Sequence, residues 1–159
     1  LDKVIFIPTN RTPQKNIQEL TASRHRDAMV RLAIKGNPAF EVSDVEIRRK
    51  GTSYTIDTVK TLRQKKPRAT WILLVGSDCL RGLYAWRNVE ELFRLCRFVI
   101  VRRPHCPYEG IPSGFEKLEI PQIDISSRDL RQRVREGRSI AYQVPKAVEQ
   151  YILKHRLYR

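Results

Sequence analysis

Three short runs of consecutive apolar residues set the terms for this chain: "KVIFIP" (3–8), "TWILLVG" (70–76) and "RFVIVRRP" (97–104). A strand that is apolar at nearly every position, rather than at every second one, is covered on both faces, as in a parallel sheet. Helical spacing separates these runs. "SRHRDAMVRLAIKGNP" carries Ala28, Leu32 and Ala33 on one face, with Ser23 placed to cap it and Gly36 and Pro38 to end it. "TIDTVKTLRQKKP" has Ile56, Val59 and Leu62 three apart, and "NVEELFRLC" (88–96) reads as a further helix. Two weaker strands are predicted, "FEVSDVEI" (40–47) by alternation and "LEIPQIDI" (118–125), whose Pro121 marks an edge or a bend. Residues 105–117, rich in proline and glycine, read as a loop, and two helices close the chain, one from Ser126 and Ser127 to Gly137 and one from Pro145, as first helical residue, to about His155. Strands alternating with helices predict an α/β fold: a doubly wound parallel sheet with helices on both faces.

A chain of 159 residues suits one domain, and 41% hydrophobic residues suffice for a core. The net charge of +14 predicts a polyanionic partner, whether nucleotide, nucleic acid or anionic membrane surface. No apolar run reaches membrane-spanning length, and no signal-peptide pattern opens the sequence. Cys79, Cys96 and Cys106 are odd in number and lack CxxC spacing, so neither a disulfide framework nor a zinc site is indicated. A reducing cytoplasm is the simplest setting.

In open parallel sheets ligands bind at the carboxyl ends of strands, beside helix N-termini, which directs attention to "PTNRTPQK", "GSD", "RRP" and "ISSR". In "ISSRDLRQR", Ser126 or Ser127 can cap a helix whose free N–H groups hold phosphate, with Arg128, Arg131 and Arg135 on one face. A capped, solvated basic helix accounts for the same residues. In "GSDCLRGLYAW", Gly76 allows close backbone approach, Asp78 can accept from ribose hydroxyls, and Trp86 offers a flat face for a ring. The plainer alternative makes Asp78 a helix cap and Trp86 core. "RKGTSYTIDT" sets Ser53, Tyr54 and Thr55 before a helix, either as a cap or as donors to a carboxylate. No P-loop, GxGxxG or HExxH occurs, and His25, His105 and His155 form no triad or metal-ligand spacing.

Taken in order, "IPTNRTPQK", "SYTIDT", "GSDCL", Trp86 eight residues after Asp78, "RRP", "ISSRDLR" and the closing "VPKAVEQYILKHRLY" resemble the bacterial nicotinate-nucleotide adenylyltransferases of the HxGH-type nucleotidyltransferase superfamily, from Leu1 to Arg159. The resemblance implies a Rossmann-like fold and transfer of the AMP part of ATP, with Mg²⁺, to nicotinate mononucleotide. It assigns Ser126, Ser127 and Arg131 to ATP phosphates, and Gly76 and Asp78 to the adenosine part. Trp86 then stacks the nicotinate ring, Tyr54 and Thr55 line its carboxylate, Arg103 adds a substrate contact, and Lys15 joins Arg131 as a basic catalytic residue. Gln14 stands where many members have histidine, and Arg128 where many have threonine. The family opens with a strand, a "GGTFDPxHxGH" loop and a helix. None of these is in this sequence, so such a unit is expected before Leu1, and activity of these residues alone is left open. A pantetheine-phosphate or nicotinamide-mononucleotide adenylyltransferase, and a basic nucleic-acid-binding protein, are the rival readings. Self-association into a homo-oligomer is left open, and no membrane partner is expected.

Overall fold

The computed structural model describes residues 1–13, 21–104, 106, 111 and 113–159. The chain divides into two compact units, Leu1–Ser53 with Ile125–Arg159, and Tyr54–Asp124. Every named strand pairs in parallel, as the apolar runs predict.

In the first unit β1 (Val4–Phe6) pairs with β2 (Phe40–Val42), Val4 opposite Phe40 and Phe6 opposite Val42. The crossover is α1 (Ser23–Ile34). Ser23 does not cap it. The helix starts from the Ala22 carbonyl, which accepts the His25 N–H at 3.0 Å, and no side chain caps its end. The chain leaves α1 through Gly36, whose φ of +93° lies in the left-handed region open to glycine.

The strand expected over 40–47 stops at Val42. Ser43 donates its N–H to the Phe6 carbonyl at 2.9 Å, closing the ladder, and α2 (Val45–Arg49) follows. Asp44 explains the change. Its carbonyl accepts the Arg48 N–H, and its carboxylate pairs with Arg48 at 2.9 Å, so the residue opens a helical turn where the alternation suggests a strand.

Two more helices complete this unit, α5 (Ser127–Arg135) and α6 (Lys146–Lys154), with Pro145 at the N-cap of α6, one residue before its first helical residue. Ile140, Val148 and Ile152 are buried, packed by Met29 and Leu32 of α1 and Leu130 and Val134 of α5. The four-residue spacing of Val148 and Ile152 puts both on one face of α6.

The second unit begins with α3 (Thr55–Lys65). A three-stranded sheet follows, in the order β3 (Ile72–Gly76), β4 (Arg97–Val101), β5 (Glu116–Leu118). The crossover from β3 to β4 is a 3-10 segment, Ser77–Ala85, then α4 (Val89–Leu95). Ile56 from α3, Leu83 from the 3-10 segment, Leu92 from α4 and Ile100 from β4 are the largest fully buried side chains. Each contributes about 1.5–3 kcal/mol by burial. The strand expected over 118–125 is instead confined to Glu116–Leu118. β4 ends at Val101, opposite Leu118, so the ladder has no partner further on, and Pro121 has no N–H to extend it. Ile120, Ile123 and Ile125 are accordingly exposed.

One contact between α1 and α6 is sensitive to pH. His25 Nδ1 lies 2.9 Å from the Tyr151 hydroxyl, and the His155 ring is 5.2 Å from that of His25. Partial desolvation, then Arg24 and His155, hold His25 below its ordinary pKa. As pH falls through about 6.5 the unfolded chain takes up this proton before the folded one does, so stability present above that pH is lost on acidification. The urea midpoint is expected to fall between about pH 7.5 and pH 5.5, and less so in His25→Gln. An equal fall in the variant would place the dependence in other groups.

Candidate active site

The carboxyl ends of β3 and β4 lie side by side, because Gly76 pairs with Val101. A Cβ on Gly76 would overlap Asp78 Oδ1 and come within 2.8 Å of Arg103 Cδ. Any side chain here therefore displaces both charged residues. Asp78 Oδ2 and Arg103 Nη1 are 3.5 Å apart, and each side chain keeps about half of its surface exposed (42% and 53%). This pair is screened and weak, so a ligand can compete for both partners at little cost.

Ser77 holds this arrangement in place. It is buried, at 5% exposure. Its hydroxyl accepts the Arg103 N–H at 3.0 Å and donates to the Cys106 carbonyl at 2.7 Å, while the Cys106 N–H returns to the Arg103 carbonyl. One buried hydroxyl thus satisfies two backbone groups and fixes the turn that carries Arg103. Sequence reasoning missed this residue. The available signal was a hydroxyl directly after the glycine that ends the strongest strand.

Asp78 lies in the first turn of the 3-10 segment but makes no cap hydrogen bond. Trp86 closes that segment, its N–H donating to the Leu83 carbonyl at 3.0 Å. It is half-buried against the core rather than enclosed by it. Tyr54 occupies the N-cap position of α3 and Thr55 its first helical position, and no side chain caps this end. Asp57 and Thr58 donate their N–H groups to the Tyr54 carbonyl at 3.2 and 3.3 Å, so the N–H groups of Thr55 and Ile56 are the ones left without an acceptor among the described residues. The Arg87 guanidinium lies 4.7 Å from the centroid of the Tyr54 ring and 3.8 Å from Asp57, so the turn after Trp86 rests on the start of α3. The structure thus brings Gly76, Asp78 and Arg103 together in this unit, and Tyr54 close to the turn after Trp86.

In the other unit Ser126 is the N-cap of α5, its hydroxyl accepting the Asp129 N–H at 3.1 Å. Ser127 is exposed at the first helical position. Ser127 and Arg131 both line a cavity of about 170 Å³. The arginine stripe is not uniform. Arg135 is held by the Gln132 side chain at 2.8 Å and Arg133 by the Ser139 carbonyl at 2.9 Å. Arg128 and Arg131 have no partner among the described residues. Lys15 lies outside the described residues. Described residues on either side of it are anchored in a way the sequence did not reveal: Asn10 donates its N–H to the buried Ser53 hydroxyl, and Arg26 donates to the carbonyls of both Asn10 and Thr21. Ser53 is thus a loop anchor and not a helix cap.

All three cysteines are free. Burial raises the Cys96 thiol to about 11, and burial followed by Asp78 raises that of Cys79, so neither supplies a thiolate near neutrality. No helix among the described residues is long and apolar enough to cross a membrane.

Residues 1–133 match the family model "Cytidylyltransferase-like". A protein of Leifsonia xyli subsp. xyli named "Probable nicotinate-nucleotide adenylyltransferase" is 43% identical over 162 residues, covering 100% of this chain and 80% of its own. A Tropheryma whipplei protein of the same name is 41% identical, covering 100% of this chain and 85% of its own. The fold matches Plasmodium falciparum nicotinic acid mononucleotide adenylyltransferase complexed with NaAD at a TM-score of 0.80 and 21% identity, over 99% of this chain and 83% of that one. The chain belongs to the cytidylyltransferase-like family, among the nicotinate-nucleotide adenylyltransferases.

Proposed function

We propose that the protein transfers the AMP moiety of ATP to nicotinate mononucleotide, giving deamido-NAD and pyrophosphate. The observation that carries this reading is the match along the whole chain to relatives of that name at 40–43% identity. The 5′-phosphate of the mononucleotide attacks the α-phosphorus of ATP in line, and the bond to the β-phosphate oxygen breaks. Positioning and electrostatic stabilisation supply nearly all the catalysis in such a transfer.

Arg131 and Ser127 bind ATP phosphates: the guanidinium has no partner to give up among the described residues, and the serine hydroxyl is exposed at a helix start. Ser126 contributes by fixing that helix start. Gly76 and Asp78 take the adenosine part, and Arg103 a further substrate oxygen. Trp86 stacks the nicotinate ring, and the uncapped start of α3 at Tyr54 and Thr55 receives its carboxylate. Lys15 adds a second positive charge at the phosphates. Magnesium suits this scheme as the partner of ATP. It commonly binds through substrate phosphates and water, and no group of three or more acidic, histidine or cysteine residues that could hold a metal occurs among the described residues.

The open N–H groups of α3 prefer a carboxylate to an amide. With ATP as co-substrate, kcat/KM for nicotinate mononucleotide is expected to exceed that for nicotinamide mononucleotide by at least roughly tenfold. Equal or reversed values would refute the substrate assignment. Arg131→Ala is expected to raise KM for ATP by about tenfold, with a stability change within about 0.5 kcal/mol. Unaltered ATP kinetics would reduce α5 to a solvated basic helix.

A further inference from the structure

The residues assigned to nucleotide chemistry in the second unit lie at the carboxyl ends of β3 and β4 or beside the start of α3. The amino ends of β3 and β4 open on a different cavity, of about 380 Å³, within the range of small-molecule sites. Trp71, just before β3, and Arg97, the first residue of β4, meet there, the Arg97 N–H donating to the Trp71 carbonyl at 2.9 Å. Phe93 and Phe115 add aromatic walls, their centroids 5.0 Å apart. Arg63 and Arg94 complete a lining with three guanidinium groups, and no carboxylate appears among the described lining residues.

Two features of this cavity lack an internal explanation. Arg63 donates to the Leu95 carbonyl at 2.7 Å and Arg97 pairs with Glu116 at 3.0 Å, but Arg94 is exposed with no partner among the described residues. Beside the cavity, the Trp71 indole Nε1 is buried and has no acceptor among the described residues. A buried donor without an acceptor is costly, and in native proteins such groups usually have a partner in protein, water or ligand. Aromatic walls favour a flat ring, and guanidinium groups favour a planar oxyanion held bidentately.

We propose that this cavity is a second ligand site, separate from the nucleotide site, that takes a flat aromatic carboxylate. The protein has two tryptophans, so two indole N–H signals in a nitrogen–proton correlation spectrum distinguish this cavity from the Trp86 region. Titration of the whole protein with 2-naphthoate is expected to move the Trp71 signal saturably, whether or not the Trp86 signal moves as well. The neutral 2-naphthamide should bind at least roughly tenfold more weakly, and Arg94→Ala should weaken naphthoate by about tenfold. Arg94 is exposed and has no partner among the described residues, so the variant is expected to keep the spectrum of the folded protein. Non-saturable movement, movement confined to Trp86, equal binding of the amide, or unchanged affinity in Arg94→Ala would each overturn the proposal. None of these outcomes bears on adenylyl transfer.

Discussion

The parallel pairing of β3 with β4 is the constraint from which the rest of the second unit follows. Five residues align, from Ile72 opposite Arg97 to Gly76 opposite Val101. Parallel strands cannot be joined by a tight turn, so the chain must travel the length of the sheet and return. The 3-10 segment and α4 perform that return and bury Leu83 and Leu92 completely in doing so. The pairing also makes the two ends of the sheet chemically different. Glycine, serine, aspartate and arginine collect at one end, tryptophan and arginine at the other.

At the carboxyl end small residues do the placing and leave the charged ones half-exposed. Gly76 leaves room that a Cβ would fill, the Ser77 hydroxyl joins the ends of the two strands through backbone groups, and Asp78 and Arg103 stay half-exposed. The first unit applies the same division to a helix start. Ser126 spends its hydroxyl on the cap, while the next hydroxyl and Arg131 have no hydrogen-bond partner among the described residues.

The runs of consecutive apolar residues were legible because burial on both faces leaves few alternatives: Ile72–Gly76 and Arg97–Val101 fall inside the segments read as strands. Residues 40–47, read by alternation, and 118–125 misled because a short weakly patterned run is a weaker signal than local chemistry. Asp44 starts a helix in the first, and Pro121 with the end of β4 stops the ladder in the second. In the candidate site, Gly76 and Asp78 could be picked out because a strand end marks them. The role of Ser77 could not, since its two partners lie 26 and 29 residues away and nothing local announces them. The arginines of α5 looked equivalent in sequence, yet their hydrogen bonds separate Arg133 and Arg135 from Arg128 and Arg131.

The central claim is that substrate is held where the parallel strands end. Amide chemical-shift mapping with nicotinate mononucleotide tests it most directly. The account predicts saturable shifts at Gly76, Ser77, Asp78 and Arg103 and at the start of α3. Shifts that cluster at Trp71 and Arg97, or that spare Gly76 through Asp78, would contradict it.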